Sequence, residues 1–194
     1  MKTLAKLISY LFIPPLNLLL IFIYLSFRVY DDSTLQIQTI AVAAIFGFIL
    51  PLLVFFYLRW KGEIIDNEAS VGSERTTPYL IGIGLSVLGA MLSMLLELHP
   101  FIVALWLSYV LTSVILVLIN KRWKISAHAI GVAIPFAVLV FTLGNSAFYF
   151  AIILIIVSWS RMYQNLHDLY QVVAGLLVGY LVTYYLMNLS LNLV

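Results

Sequence analysis

The chain has 194 residues, 64% of them hydrophobic and 9% charged, with a mean hydropathy of +1.11. That little charge cannot coat a water-soluble domain of this length, so the composition points to lipid as the solvent. There is no cysteine and the net charge is only +2, which excludes disulfides, thiolate metal sites and a basic block suited to nucleic acid.

In chain order, apolar runs cover roughly 7–27, 37–58, 79–96, 101–119, 129–143, 147–159 and 169–194. A bilayer-crossing helix needs about 20 apolar residues, so runs five and six are short. Either their polar neighbours extend them or they sit inside the bundle. Helices satisfy their own backbone polar groups in lipid, and the alternation of a β-barrel strand is missing. The fold class expected is therefore all-α, a polytopic transmembrane helix bundle of about seven spans, with six possible. It forms a single integral-membrane domain over 1–194. Residues 1–6 with the first run could pass for a signal peptide, but no A-x-A-like site follows, and the run reads as a retained first helix. Pro14, Pro15, Pro51 and Pro135 fall inside runs and should bend them. Tight turns at 98–100 and 144–146 predict hairpins for runs three and four and for runs five and six. Asn17, a polar residue in the first run, suggests a helix–helix hydrogen bond.

With seven crossings, the N-terminus and the segments 59–78, 120–128 and 160–168 emerge on one face. That face carries Lys2, Lys6, Arg59, Lys61, Arg75, Lys121, Arg122, Lys124 and Arg161, against Arg28 alone on the other. The positive-inside rule makes it cytoplasmic, and Trp60, Trp123 and Trp159 flank the spans there like an aromatic belt.

Two of the three histidines, His128 and His167, fall on this face beside Arg75, Lys124 and Arg161. One reading is an anion site, in which guanidinium and ammonium groups hold a phosphate and an imidazole attacks it. The other is that they are positive-inside charges with interfacial histidines. His99, between Glu97 and Pro100, lies on the opposite face and reads as a turn residue. Asp31, Asp32 and Glu97 share that face without metal-ligand spacing. Tyr180, Tyr184 and Tyr185 read as packing residues.

The spacing around the second histidine favours the anion site. Ser160-Arg161, five residues, then His167 resembles the third signature of the type 2 phosphatidic acid phosphatase superfamily, and a Val-Val-Ala-Gly-x-x-x-Gly stretch ending at Gly179 continues it. Ile125-Ser126-Ala127-His128 echoes the second signature, P-S-G-H, keeping its serine and histidine. Arg75 with Pro78 echoes the first, without its lysine. The H, three residues, Q spacing from His167 to Gln171 also resembles some members of the dolichyl-diphosphatase branch.

The resemblance implies a metal-independent phosphatase without a cofactor that works through a phosphohistidine. His167 would be the nucleophile, His128 the general acid and base, and Arg161, Arg75, Lys124 and Ser126 the phosphate-binding groups. Gln171 would stand where the family's aspartate orients the nucleophile. Its amide oxygen can accept the same hydrogen bond but offers no charge. Asp168, next in sequence, should point elsewhere. The implied substrate is a lipid phosphate or a polyprenyl diphosphate, with membrane lipids as neighbours and no nucleic acid. The alternative is a non-enzymatic transporter, or a relative that binds lipid phosphates with a degenerate site.

Overall fold

The computed structural model describes residues 1–64 and 72–193, the side chains of 72–75 and 193 excepted. Among them every regular element is helical. The helices are α1 (Lys2–Leu11), α2 (Pro14–Val29), α3 (Ser33–Val42), α4 (Leu50–Trp60), α5 (Gly72–Leu95), α6 (Pro100–Asn120), α7 (Ala127–Leu143), α8 (Ala151–Tyr163) and α9 (Leu169–Ser190).

Proline sets two of the breaks. Ile13 is extended, as a residue before proline tends to be, and α2 restarts at Pro14 and Pro15, bent 48° from α1. Asn17 Nδ2 donates 3.0 Å to Phe12 O, a carbonyl freed at that break, rather than to another span. Pro51 has no N–H to give and its ring crowds the carbonyl four residues back. The turn before it, Ala43–Ile49, widens to a π-helix in which Leu50 N–H bonds Ile45 O. Helices α3 and α4 thus form one continuous rod, Ser33–Trp60.

Five helical stretches are long and apolar enough to cross a membrane: Ser33–Trp60, Thr76–Leu95, Pro100–Asn120, Ala127–Tyr163 and Leu169–Ser190. The bent α1–α2 pair makes a sixth if it is one broken span. The 37-residue stretch Ala127–Tyr163 is not straight. His128 and Arg161 line one cavity, whereas 33 residues of straight helix would part them by about 50 Å. The reversal comes where Gly144 takes a positive φ of 58° and 3₁₀ turns follow over Gly144–Phe150. The Phe136 and Phe148 rings then meet at 6.1 Å. Runs five and six are therefore two antiparallel legs, as the turn at 144–146 predicts.

The bundle is apolar on both sides of its wall. Inside, Phe22 packs on Trp106 at 4.6 Å among Ile21, Leu25, Ile102, Leu105, Ile134 and Val138. Outside, Leu20, Leu53, Phe56, Leu88, Met91, Leu118, Ile155 and Leu181 are exposed, which fits lipid and not water as the surrounding medium. Some buried hydroxyls within spans close on their own helix, as Ser108 does on Ala104 O and Thr112 on Ser108 O.

The tightest contact joins α7 and α9. A Cβ at Gly175 would stand 2.7 Å from Ser126 O and 2.9 Å from Ala129 Cβ, and one at Gly179 would stand 2.8 Å from both Ile130 O and Ala133 Cβ. Small residues on both partners let the backbones meet, as in small-xxx-small packing within membranes. On the opposite face His99 caps α6 by accepting from Phe101 N–H through Nδ1, and its own N–H donates to the Tyr30 hydroxyl. Burial lowers the His99 imidazole pKa from its ordinary value, which favours the neutral form that can accept through Nδ1.

The α7–α9 contact yields a stability prediction. Gly179→Ala must push backbone against backbone, and overpacking of this kind costs about 1–3 kcal/mol. The expected result is a fall of several degrees in the melting temperature of detergent-purified protein, read by differential scanning fluorimetry. An unchanged melting temperature would mean the two helices are free to part.

Candidate active site

The cavity that holds His128 has a volume of about 520 Å³. Among the residues that line it are Tyr10, Arg59, Tyr79, His128, Arg161 and His167, from α1, α4, α5, α7, α8 and the loop before α9. Its remaining wall is mostly apolar, with Leu18, Phe46, Leu52, Phe55 and Ile81 among the residues that face it.

Each polar group is placed by local structure. Ser126 caps α7 by accepting from Ala129 N–H at 3.3 Å, which puts His128 in the first turn of that helix. Ser126 N–H in turn donates to Gln171 O at 3.3 Å, tying the start of α7 to the start of α9. Arg161 ends α8 and is only 2% exposed, with Nη1 donating to Ser9 Oγ at 2.9 Å. The chain then turns through Asn165, at a left-handed φ of 54°, a conformation asparagine tolerates better than most residues. His167 follows, buried at 7% exposure.

His167 lies before the N-cap of α9, not on the helix itself. Its link to Gln171 comes from the helix start instead of from a shared helical face. Asp168 is the N-cap and accepts from Gln171 N–H at 2.8 Å, while Gln171 Oε1 accepts from Asp168 N–H at 3.2 Å, closing a capping box. The same Oε1 lies 3.1 Å from His167 Nδ1. A backbone N–H can only donate, so it fixes which end of the amide faces the imidazole. An amide oxygen can only accept, so His167 Nδ1 carries a proton in this contact. Gln171 is both a helix-start residue and the partner of the histidine.

Of the residues singled out in the sequence, His128, Arg161 and His167 line the cavity, and Gln171 stands behind His167. Ser126 is fully buried as the α7 cap and Lys124 is half-buried; neither lines the cavity. The side chain of Arg75 lies outside the described residues. Three of the polar lining groups named above, Arg59, Tyr10 and Tyr79, come from outside that set. Arg59, an exposed cation at the end of α4, stands out in the sequence only as one of the positive charges of its face. Its place at a span end on the histidine-bearing face is the available signal. Tyr10 carries no comparable sequence signal. Among the described residues no group of three or more His, Asp or Glu side chains could hold a metal ion.

No curated protein and no solved structure matches the chain. A family model does: PAP2 superfamily, over residues 120–194. The matched segment contains Ser126, His128, Arg161, His167, Gln171 and the Gly175–Gly179 pair, so it covers both imidazoles and the helix contact that brings them together. The superfamily's members are phosphatases acting on lipid phosphates. Residues 120–194 are thus similar to the PAP2 superfamily, and the match carries the candidate site's two histidines.

Proposed function

We propose that the protein is a membrane phosphohydrolase that removes a phosphoryl group from a lipid phosphate, through a covalent phosphohistidine and without a metal. The observation that carries this reading is one cavity lined by His128, Arg161, His167 and Arg59 together with a mostly apolar wall. A phosphate can sit against the cations while its hydrocarbon tail occupies the apolar part.

In the first step His167 Nε2 attacks phosphorus, forming the P–N bond as the bond to the lipid oxygen breaks. His128, as imidazolium, gives its proton to the departing oxygen. In the second step neutral His128 takes a proton from water, the water oxygen attacks phosphorus, and the P–N bond breaks to release inorganic phosphate. Arg161, Arg59 and Arg75 offset the charge that builds on the equatorial oxygens, and electrostatic stabilisation of this kind usually lowers such a barrier more than any other effect. Lys124 supplies a further positive charge near this surface, and Ser126 works by holding the α7 start that presents His128. Phosphate monoesters and diphosphates of isoprenoids both suit the chemistry. The H, three residues, Q spacing favours the isoprenoid diphosphate, whose leaving group would be the lipid monophosphate.

The decisive assay mixes detergent-purified protein with a lipid phosphate in EDTA and measures released phosphate. Turnover is expected in the wild type and loss of it in His167→Ala. His128→Ala should retain some phosphoenzyme formation from a substrate with a good leaving group. Undiminished activity in both variants would remove these assignments. A wild type that binds lipid phosphate but never releases phosphate would favour the non-enzymatic reading.

Gln171 acts by orientation. Gln171→Ala should lower kcat at least about tenfold, or about 1.4 kcal/mol of barrier, with lipid binding nearly intact because the cations are untouched. Gln171→Asp keeps an acceptor and adds a negative charge that favours the protonated ring. It should stay active, with the acidic limb of its pH–rate profile moved upward. Full activity in Gln171→Ala would leave Gln171 as a helix cap alone.

The charge bias places the active-site face in the cytoplasm. Lys61→Cys introduces one exposed thiol into a chain that has none. An impermeant maleimide applied to intact cells should leave it unlabelled and should label it after lysis. Labelling in intact cells would reverse the orientation.

A further inference from the structure

Helix α1 lies outside the segment that matches the superfamily, yet it bonds Arg161, a residue that lines the candidate cavity. Ser9 is 1% exposed and faces α8 and the turn after it. Its Oγ accepts from Arg161 Nη1 at 2.9 Å and from Gln164 Nε2 at 2.9 Å, and it lies 3.0 Å from Ser160 Oγ. Ser160 Oγ also stands 2.7 Å from Ala5 O, and Gln164 Nε2 lies 3.2 Å from the same carbonyl.

The direction of this network follows from the proton count. A carbonyl oxygen only accepts, so the one proton of Ser160 goes to Ala5 O. Ser9 must then give its own proton to Ser160 Oγ, and both its lone pairs are left for Arg161 and Gln164. Every hydrogen-bonding position of the Ser9 hydroxyl is used, and one of them fixes an edge of the guanidinium. Networks of this kind hold geometry most firmly where water is excluded. The break at Pro14 and Pro15 is what frees α1 to lie against α8.

We propose that Ser9 is a positioning residue for phosphate recognition: it holds the Arg161 guanidinium in the orientation that meets the phosphoryl group, which makes the N-terminal helix part of the phosphate site. This rests on the phosphatase reading above, and it adds a contributor that lies beyond the matched segment. Arg161 would remain charged and present without Ser9, but it would lose a bond that aims its fork. Bidentate recognition of phosphate depends on that aim.

The test compares wild type, Ser9→Ala, Ser9→Thr and Leu7→Ala, the last changing an exposed residue of α1. Three quantities are read: kcat and KM on a lipid phosphate in detergent, the rise in melting temperature with added inorganic phosphate, and the melting temperature without it. Ser9→Ala is expected to lose about tenfold in kcat/KM, the scale of one charge-assisted hydrogen bond. Its phosphate-dependent rise in melting temperature should shrink in parallel, with the ligand-free melting temperature nearly unchanged. Ser9→Thr, which keeps the hydroxyl, should recover most of both, and Leu7→Ala should match the wild type. The proposal falls if Ser9→Ala keeps its phosphate response and its kcat/KM within about twofold. It also falls if Ser9→Ala and Ser9→Thr lose both together with a large drop in ligand-free melting temperature, because Ser9 then only packs. A wild type without turnover whose phosphate response still depends on Ser9 would sink the phosphatase reading and support the positioning role.

Discussion

Everything at the candidate site depends on how closely α7 approaches α9. In lipid no hydrophobic force pulls two apolar helices together, so their association rests on surface fit and interhelical hydrogen bonds. Gly175 and Gly179 meet Ser126, Ala129, Ile130 and Ala133 almost backbone to backbone, and Ser126 N–H adds a bond to Gln171 O. That contact sets the two helix starts side by side. His128 is two residues beyond Ser126 and His167 is one residue before Asp168, so each imidazole inherits its place from a capped helix start. The glycines of the matched segment thus bear on chemistry about two to three helical turns away.

Two residues that line the cavity, His167 and Arg161, are held by atoms that serve twice. Gln171 Oε1 closes a capping box and also holds His167 Nδ1, so one neutral oxygen sets both helix geometry and tautomer. A carboxylate there would add charge-assisted strength and stabilise an imidazolium; the amide gives direction alone. Ser9 Oγ likewise joins α1 to α8 while bonding Arg161. Shared atoms leave such a site little freedom to deform piecemeal, and they explain how a buried guanidinium is held on an otherwise apolar bundle.

Prolines outline the cavity. Pro14, Pro15, Pro51 and Pro78 all face it, and three of them mark departures from ideal helix: the α1–α2 break and the π-turn before Pro51. Irregular backbone at membrane depth is tolerated where it lines a cavity and not where it meets lipid. The helix breaks at Pro14, Pro15 and Pro51 thus fall on the wall of the cavity that His128 and His167 also line.

The sequence by itself determined that the chain is helical and membrane-embedded. Those facts depend on composition and on run lengths, which are one-dimensional. It also determined that His128 and His167 share a face, because alternating crossings need only be counted, and that Ser160-Arg161 to His167 resembles a phosphatase signature. The pairing of Gln171 with His167 was legible as a spacing, though the capping geometry that produces it was not. Tertiary structure alone decided that Arg59 and Tyr10 reach the same cavity, that Ser126 caps a helix, and that Ser9 meets Arg161 across 152 residues of sequence. Those facts depend on the rotation of each helix about its axis and on where prolines and glycines let helices bend or touch. A hydropathy pattern this uniform, apolar on the faces turned to lipid and on those turned to the core alike, carries almost no information about that rotation.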